Sequence, residues 1–228
     1  MLKRTHIKIA DSILLSIQNT VQWKINRQAY LFGSIAPDLN VAFPAHTLTK
    51  TFNRFKRRLV RVEKSDSSII KSFTLGVITH YICDYFCYAH NIKNNPKHAI
   101  YERVMKNHLD MHNREIREHF DELQSSWDEV KGQILLKISD GRDVGIPSLE
   151  EVKNNFDKEE NSEIKWASCL GDMLKDMHDL YMAETSDLDE PIWSRSHNKI
   201  QLDLEYATFM CEKMTLTLLG SADELREN

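Results

Sequence analysis

Glycine and proline are scarce in this chain, and their scarcity limits the folds open to it. Only 7 glycines and 5 prolines occur among 228 residues, and the glycine content is about half of the usual value. Barrels, sandwiches and glycine-rich nucleotide-binding α/β folds need more turns and breakers than this. Apolar residues recur at helical spacing along most of the sequence. We therefore predict an all-α fold, a single helical bundle that forms one domain over residues 1–228.

The predicted helices are mostly amphipathic, with one apolar exception. Residues 66–91 are apolar nearly all round, which indicates a long central helix. Gly33 is expected to end a short helix, and Pro37 to keep the following loop out of helix. The other predicted helices cover residues 5–17, 26–32, 49–64, 96–123, 125–138, a short stretch from Pro147, 160–183 and 198–219.

Charge and cysteine content indicate a compartment and exclude some partners. The formal net charge of −4 excludes a generally basic nucleic-acid footprint, so no stable nucleic-acid partner is predicted. Lys8 and Asp11 interrupt the first apolar run, which is therefore unlike a signal peptide. No apolar stretch approaches the length of a membrane span. We predict a cytoplasmic protein with free core cysteines at Cys83, Cys87, Cys169 and Cys211.

A basic amphipathic segment over residues 50–64 has two interpretations. Its basic side could contact anionic lipid headgroups as a peripheral membrane surface or attract a phosphorylated substrate. Alternatively, it is the solvent-facing side of a helix whose apolar stripe (Phe52, Phe55, Leu59 and Val62) packs into the core. The basic residues are Lys50, Arg54, Lys56, Arg57, Arg58, Arg61 and Lys64.

Two polar pairs lie at the end of the apolar helix and at the start of the next one. His80 and Asp84 are four residues apart, as are His98 and Glu102, and His90 lies between the pairs. Residues at this spacing share one helix face and can reach one ion. A buried carboxylate is costly unless a cation compensates it. Imidazole with carboxylate suits zinc, and manganese or iron also accepts these ligands. Either pair by itself also fits a surface pair or a core histidine with its hydrogen bonds made.

Further candidate ligands bring the total to eight. They are His6 near the chain start and, after Gly33, Asp38 and His46. One zinc ion needs about four ligands, so eight indicate two or three ions. We interpret the remaining histidines as structural or solvent-facing. His108, His112 and His119 lie near one face of the predicted helix, and His112 is about 21 Å beyond His98 along its axis, too far to share an ion. His178 and His197 lack partners at ligand spacing.

The ordered series of these motifs resembles the zinc-dependent phospholipase C family, whose all-helical fold is shared with secreted zinc nucleases. The pattern His-x3-Asp-x5-His, followed by His-x3-Glu, occurs here as residues 80–90 and 98–102 with the same internal spacing. The stretches Thr5-His-Ile-Lys-Ile-Ala10 and Phe32-Gly-Ser-Ile-Ala-Pro-Asp38 match as well. The resemblance covers about residues 5–110 and implies hydrolysis of phosphate esters on a helical fold.

The resemblance also implies roles for the candidate ligands. Asp84 would bridge to a second ion held by His6, and Asp38 would act both as a ligand and as a general base. A metal-bound hydroxide would attack phosphorus in line, and phospholipid headgroups are the first expected substrates. One zinc would take Asp38, His46, His80 and Asp84, and a more open site would take His90, His98 and Glu102.

Three alternatives remain open at the level of sequence. The same ligands would serve a nuclease or a small-molecule phosphodiesterase, or a catalytically degenerate protein with a structural metal cluster. Secreted members of the family complete one zinc site with the free amino group and carbonyl of an N-terminal tryptophan. Here Met1 stands five residues before His6 instead. The sequence therefore leaves open whether that site is complete.

Overall fold

The fold is helical throughout the part of the chain that is described. The structure is a computed structural model that describes residues 1–18, 20–21, 23–39, 47–92, 98–112, 116, 120–138, 162–187 and 197–220. These residues contain helices and no strand, which confirms the all-α prediction. The helices are α1 (Lys3–Ile17), α2 (Arg27–Gly33), α3 (Ala36–Leu39), α4 (Leu48–Lys64), α5 (Ser68–Tyr85), α6 (Tyr88–Asn91), α7 (His98–His112), α8 (Phe120–Ile138), α9 (Ser162–Asp187) and α10 (His197–Leu219).

Helix α5 is the central element, as its sequence predicts. The Ser67 side chain caps its first turn by accepting a hydrogen bond from the Ile70 amide. From Thr74 onward every residue of α5 is buried. Helices α2, α4 and α10 pack around it. An apolar helix enclosed in this way can hold polar side chains only where other polar groups meet them.

Two glycines allow α2 to pack very closely against α5. A methyl group added at Gly76 would overlap the Tyr30 carbonyl, and one added at Gly33 would overlap the Phe73 carbonyl. No other residue type would permit this separation of the two backbones. The close packing brings the chain after Gly33 alongside the second half of α5, where His80 and Asp84 lie.

Helix α4 uses its apolar stripe for packing within the protein. Phe55, Leu59 and Val62 are buried, and α4 packs against α5 and α9. Arg57 and Arg61 on the opposite side are exposed. The basic side is therefore available to solvent, and its contact with lipid stays a prediction.

The central helix is shorter than its periodicity predicts. It ends at Tyr85 and not at residue 91, because the backbone becomes extended at Cys87 (φ −116°, ψ 109°) before α6 begins. The Tyr88 amide that opens α6 donates a hydrogen bond to the Asp203 side chain, 2.9 Å away. This contact from a distant part of the chain favours the break over continuation of the helix.

Other predicted boundaries are also corrected. Pro37 lies within the single turn of α3, where its fixed φ and missing N–H are tolerated. The break predicted between residues 123 and 125 is absent, since α8 runs continuously from Phe120. The short helix predicted from Pro147 lies outside the described residues.

Two expectations about the chain's chemistry can be compared with the structure. None of the described helices combines the length and apolarity needed to cross a membrane. The four cysteines are buried and free, as predicted: Cys83, Cys87, Cys169 and Cys211.

Candidate metal centre

Seven of the eight predicted metal ligands come together at one end of α5. They are supplied by α1, α3, α5, α6 and α7, so helices distant in sequence converge on one place. His46 lies outside the described residues. The seven are His6, Asp38, His80, Asp84, His90, His98 and Glu102.

Three of the seven residues form a buried triad. Donor atoms of His6, Asp38 and His80 lie within 4.8 Å of one another. The two imidazole rings stack with their centroids 4.1 Å apart. Both histidines are fully buried, and the Asp38 side chain is 17% exposed. Of these three side chains, Asp38 is therefore the one that reaches solvent.

The orientation of His80 directs its Nε2 towards carboxylates. Its Nδ1 lies 2.9 Å from the carbonyl oxygen of Ser34. A carbonyl can only accept, so Nδ1 carries a proton, which leaves Nε2 as the ring nitrogen that can bind a metal ion. That Nε2 faces Asp84 Oδ2 at 3.2 Å and Asp38 Oδ1 at 3.8 Å. Histidines that bind metal ions commonly donate their other ring N–H to a backbone carbonyl in this way.

His6 provides the second indication of a cation. Neither nitrogen of its buried ring makes a hydrogen bond within the described structure. Burial, reinforced by His80, lowers the pKa of His6 to about 3, so the ring is neutral near pH 7. Its Nε2 lies 3.4 Å from Asp84 Oδ1 and 3.9 Å from Asp38 Oδ2. A buried imidazole without partners is costly, and a neutral imidazole is the form that binds a metal. These residues therefore fit a bound divalent ion.

Asp84 lies between the buried triad and a second group. Its side chain is fully buried, with Oδ2 facing His80 and Oδ1 facing His6 and, at 3.7 Å, His90 Nδ1. Burial alone would raise the pKa of Asp84, but His90, the Met1 amino group and His80 hold it well below its usual value. Asp84 is therefore an ionised carboxylate whose two oxygens face different sets of donors.

The second group is a more open triad of His90, His98 and Glu102. Glu102 Oε1 lies 3.2 Å from Nε2 of each histidine. The side chains are 10%, 41% and 12% exposed, respectively. Burial opposes ionisation of Glu102, but its close contacts with the two histidines and with the Met1 amine lower its pKa. One imidazole of this triad is thus readily reached from solvent.

The amino group of Met1 occupies the space between Asp84 and the open triad. Its nitrogen lies 2.8 Å from Asp84 Oδ1, 2.8 Å from His90 Nε2 and 2.9 Å from Glu102 Oε1. Burial would lower the pKa of this amine, but Asp84 and Glu102 raise it to about 11. The sequence left this contact open, because the spacing of side chains does not report the position of a backbone amine. The sequence signal for this contact is that Met1 stands only five residues, less than two helical turns, before the candidate ligand His6.

A cavity of about 750 Å³ lies over the open triad. His90, His98 and Glu102 line it together with Asp38 of the buried triad. A small ester could therefore approach donors of both triads from one side.

Comparison with known proteins agrees with this geometry. The profile of the family described as zinc dependent phospholipase C matches residues 5–187. The chain belongs to the zinc-dependent phospholipase C family. Neither the comparison with curated proteins nor that with solved structures gives a significant match. The family supports zinc as the metal and a phosphoric ester hydrolase as the general class of function.

In this member of the family, a buried carboxylate from α10 fixes both helices that carry the open triad. Asp203 accepts hydrogen bonds from the Tyr88 amide at the start of α6 (2.9 Å) and from the Tyr101 hydroxyl on α7 (2.7 Å). The Tyr181 hydroxyl donates a third at 2.6 Å. Tyr101 directly precedes Glu102, and Tyr88 stands two residues before His90. Sequence analysis missed Asp203 because no motif spacing connects it with the ligands.

Two further histidines of this phospholipase C family member make structural contacts, in line with their interpretation from the sequence. His108 is buried, and its Nε2 lies 2.7 Å from Gln201 Oε1 on α10. His178 contacts the ring of Phe86 edge-on, with centroids 5.8 Å apart. The side chains of His112 and His197 and all of residue 119 lie outside the description.

Proposed function

We propose that this protein is a phospholipase C-type hydrolase that holds two or three zinc ions and cleaves the phosphodiester of a phospholipid headgroup. The observation that carries the proposal is the convergence of two donor triads on Asp84 beneath one cavity. A purely structural cluster would be enclosed by protein ligands. Here His98 is 41% exposed and borders the cavity.

The triads divide the proposed ligands into two groups. His6, Asp38 and His80 would hold one ion with Asp84, and His46 is a further predicted ligand of that ion. His90, His98 and Glu102 would hold another, and the Met1 amine is placed to complete it in its deprotonated form. The distances of the amine to Asp84, His90 and Glu102 support this assignment. Zinc bound at such positions lowers the pKa of water and polarises phosphoryl oxygens.

The protein's own groups supply the proton transfer and the positioning. Hydrolysis adds water across a P–O bond, so one group must accept a proton from water and the leaving alcohol must gain one. Asp38 lines the cavity and is 17% exposed, which places a carboxylate where it can meet water. We assign it the role of general base, in addition to that of a ligand.

The proposal extends to the whole chain and to its contact with membranes. Helices of the N-terminal half pack on those of the C-terminal half, α1 against α10 and α4 against α9, which supports one domain over residues 1–228. The exposed basic side of α4 supports peripheral contact of residues 50–64 with anionic lipid. A charge-reversing variant of Arg57 that binds anionic vesicles as strongly as the wild type would contradict this contact.

Metal analysis combined with turnover tests the proposed function. We expect about two or more zinc ions per chain, and chelator-sensitive release of the alcohol from a soluble phosphocholine ester or from short-chain phospholipids. Asp38→Asn should lower kcat by about 100-fold or more, since it removes the base and a ligand. Asp179→Asn, an exposed aspartate on α9, is the matched control and should behave as wild type. A protein that carries zinc and hydrolyses none of these esters would contradict the proposal.

A further inference from the structure

We propose that a cationic rim of Lys3, Arg4 and Lys106 selects substrates whose headgroup carries a second phosphate beyond the scissile one. The inference rests on the proposed function and names its substrate class. All three residues line the same cavity as Asp38, His98 and Glu102. A headgroup whose scissile phosphate lies at the triads would therefore extend between these side chains.

Lys3 and Arg4, the first two rim residues, bring two positive charges to the cavity. Lys3 and Arg4 open α1, directly after the Met1 amine that reaches Asp84. Both are exposed, and neither forms an ion pair with a carboxylate of the described residues. The Arg4 guanidinium can contact a phosphate with two parallel N–H groups, and Lys3 adds a point charge.

Lys106 contributes to the cavity from α7. It follows Glu102 by one helical turn on α7, and its Nζ lies 3.0 Å from Asp110 Oδ2. Asp110 also pairs with Lys8, so two lysines share one carboxylate. The Lys8, Lys106 and Asp110 group therefore keeps one net positive charge beside the cavity.

The described residues that line the cavity do not include the groups that a choline headgroup requires. Recognition of a quaternary ammonium uses aromatic faces or an available carboxylate. Among the described lining residues there is no aromatic side chain, and the acids are Asp38 and Glu102, which are both proposed metal ligands. The three cations would repel the choline ammonium and attract a phosphate. Selection between headgroups thus follows from the charge of the rim.

Soluble short-chain lipids test the inference without a contribution from membrane attraction. Three monomeric substrates are compared on the zinc-loaded full chain: phosphatidylcholine, phosphatidylglycerol and phosphatidylinositol 4-phosphate. We expect kcat/KM to be about tenfold higher for phosphatidylinositol 4-phosphate than for the other two, mainly through KM. Calorimetry with inositol 1,4-bisphosphate should show binding that weakens as salt is raised.

A double variant and a matched control locate the effect. K3Q/R4Q should reduce the preference to about twofold and weaken inositol 1,4-bisphosphate binding by a similar factor, with zinc content and melting temperature unchanged. K131Q/K175Q removes two lysines from α8 and α9, away from the cavity, and should keep the preference.

The outcomes separate the inference from the proposed function. Equal hydrolysis of the three lipids, or hydrolysis of phosphatidylglycerol as fast as phosphatidylinositol 4-phosphate, would overturn the inference and leave the function standing. A preference that K3Q/R4Q retains would overturn the role of the rim. Hydrolysis of none of the three by protein that carries zinc would overturn the proposed function, and the substrate class with it.

Discussion

The two triads differ in how they are built into the protein. His6 and His80 of the buried triad are fully enclosed, and their rings stack against each other. The open triad includes His98, which is 41% exposed and lies on the first turn of α7. Asp84 belongs to neither triad and faces both. If each triad holds an ion, as proposed, we expect the ion at the buried triad to be held firmly and the ion at the open triad to exchange more readily.

The largest effect is expected from the residue that the two triads share. Asp84→Asn should remove binding at both, because each would lose its common carboxylate. Zinc content should fall below one ion per chain, and kcat/KM should fall by about 100-fold or more. Loss of a residue that only hydrogen-bonds to a metal ligand typically costs about 10–100-fold, and loss of a shared ligand should cost more. Metal analysis and turnover measure both effects. Loss of one ion with the other retained would show that Asp84 serves a single triad.

The second-largest effect is expected from moving the Met1 amine, which should change zinc binding at the open triad alone. A Gly-Ser extension before Met1 should displace the amine from Asp84, His90 and Glu102 and weaken zinc binding at the open triad by about tenfold or more. The buried triad should keep its ion. Competition with a chelating dye measures both affinities. The same extension placed at the C-terminus is the control, and equal affinities in the two extended proteins would exclude a role for the amine.

Exchange kinetics should distinguish the triads in the unaltered protein. A chelator in excess should remove zinc in two phases, first from the open triad and then from the buried one, because access to the two differs. His98→Ala should remove the fast phase and His6→Ala the slow one. Release in a single phase by the wild type would contradict the distinction between the triads.

The smallest effect concerns Asp203, which positions the open triad from a distance. Asp203→Asn should weaken zinc at the open triad by about tenfold, with less change at the buried triad. Glu184→Gln is the matched control, because it removes another tyrosine–carboxylate contact between α9 and α10, from the Tyr206 hydroxyl at 2.7 Å. Similar affinities in both variants would make Asp203 a general packing residue.

Asp203 also gives a pH signature that is independent of metal. Burial raises the pKa of Asp203 to about 7, above its value of about 4 in an unfolded chain. Between these values the folded protein holds a proton that the unfolded chain releases, so folding is favoured at the acidic end. The free energy of unfolding of the chelated wild type, minus that of Asp203→Asn, should therefore fall as pH rises from 4 to 7. Urea titrations across this range measure it, and a constant difference would contradict the shift.

The sequence predicted the components of the site better than their environment. The spacing of His80 with Asp84, and of His98 with Glu102, follows from helix geometry and is visible in any single sequence. The all-α class follows from periodicity and the scarcity of breakers. The end of α5 at Tyr85 does not, because the apolar pattern continues and the break depends on Asp203 from α10.

Two other features could not be derived from residue spacing. The Met1 amine is a backbone group, so no side-chain motif reports it. Whether distant segments meet depends on packing, which is visible only in three dimensions. The contact of α2 with α5 shows this, since the two glycines that permit it, Gly33 and Gly76, are 43 residues apart in the sequence.

The close packing at Gly76 extends the metal site to a residue that no ion could touch. Any larger side chain there would push α2 outward and take the Ser34 carbonyl away from the ring of His80. The imidazole could then turn, or carry its proton on the other nitrogen. Because the clash is with backbone atoms of α2, a substitution at Gly76 should both destabilise the protein and weaken the proposed zinc site.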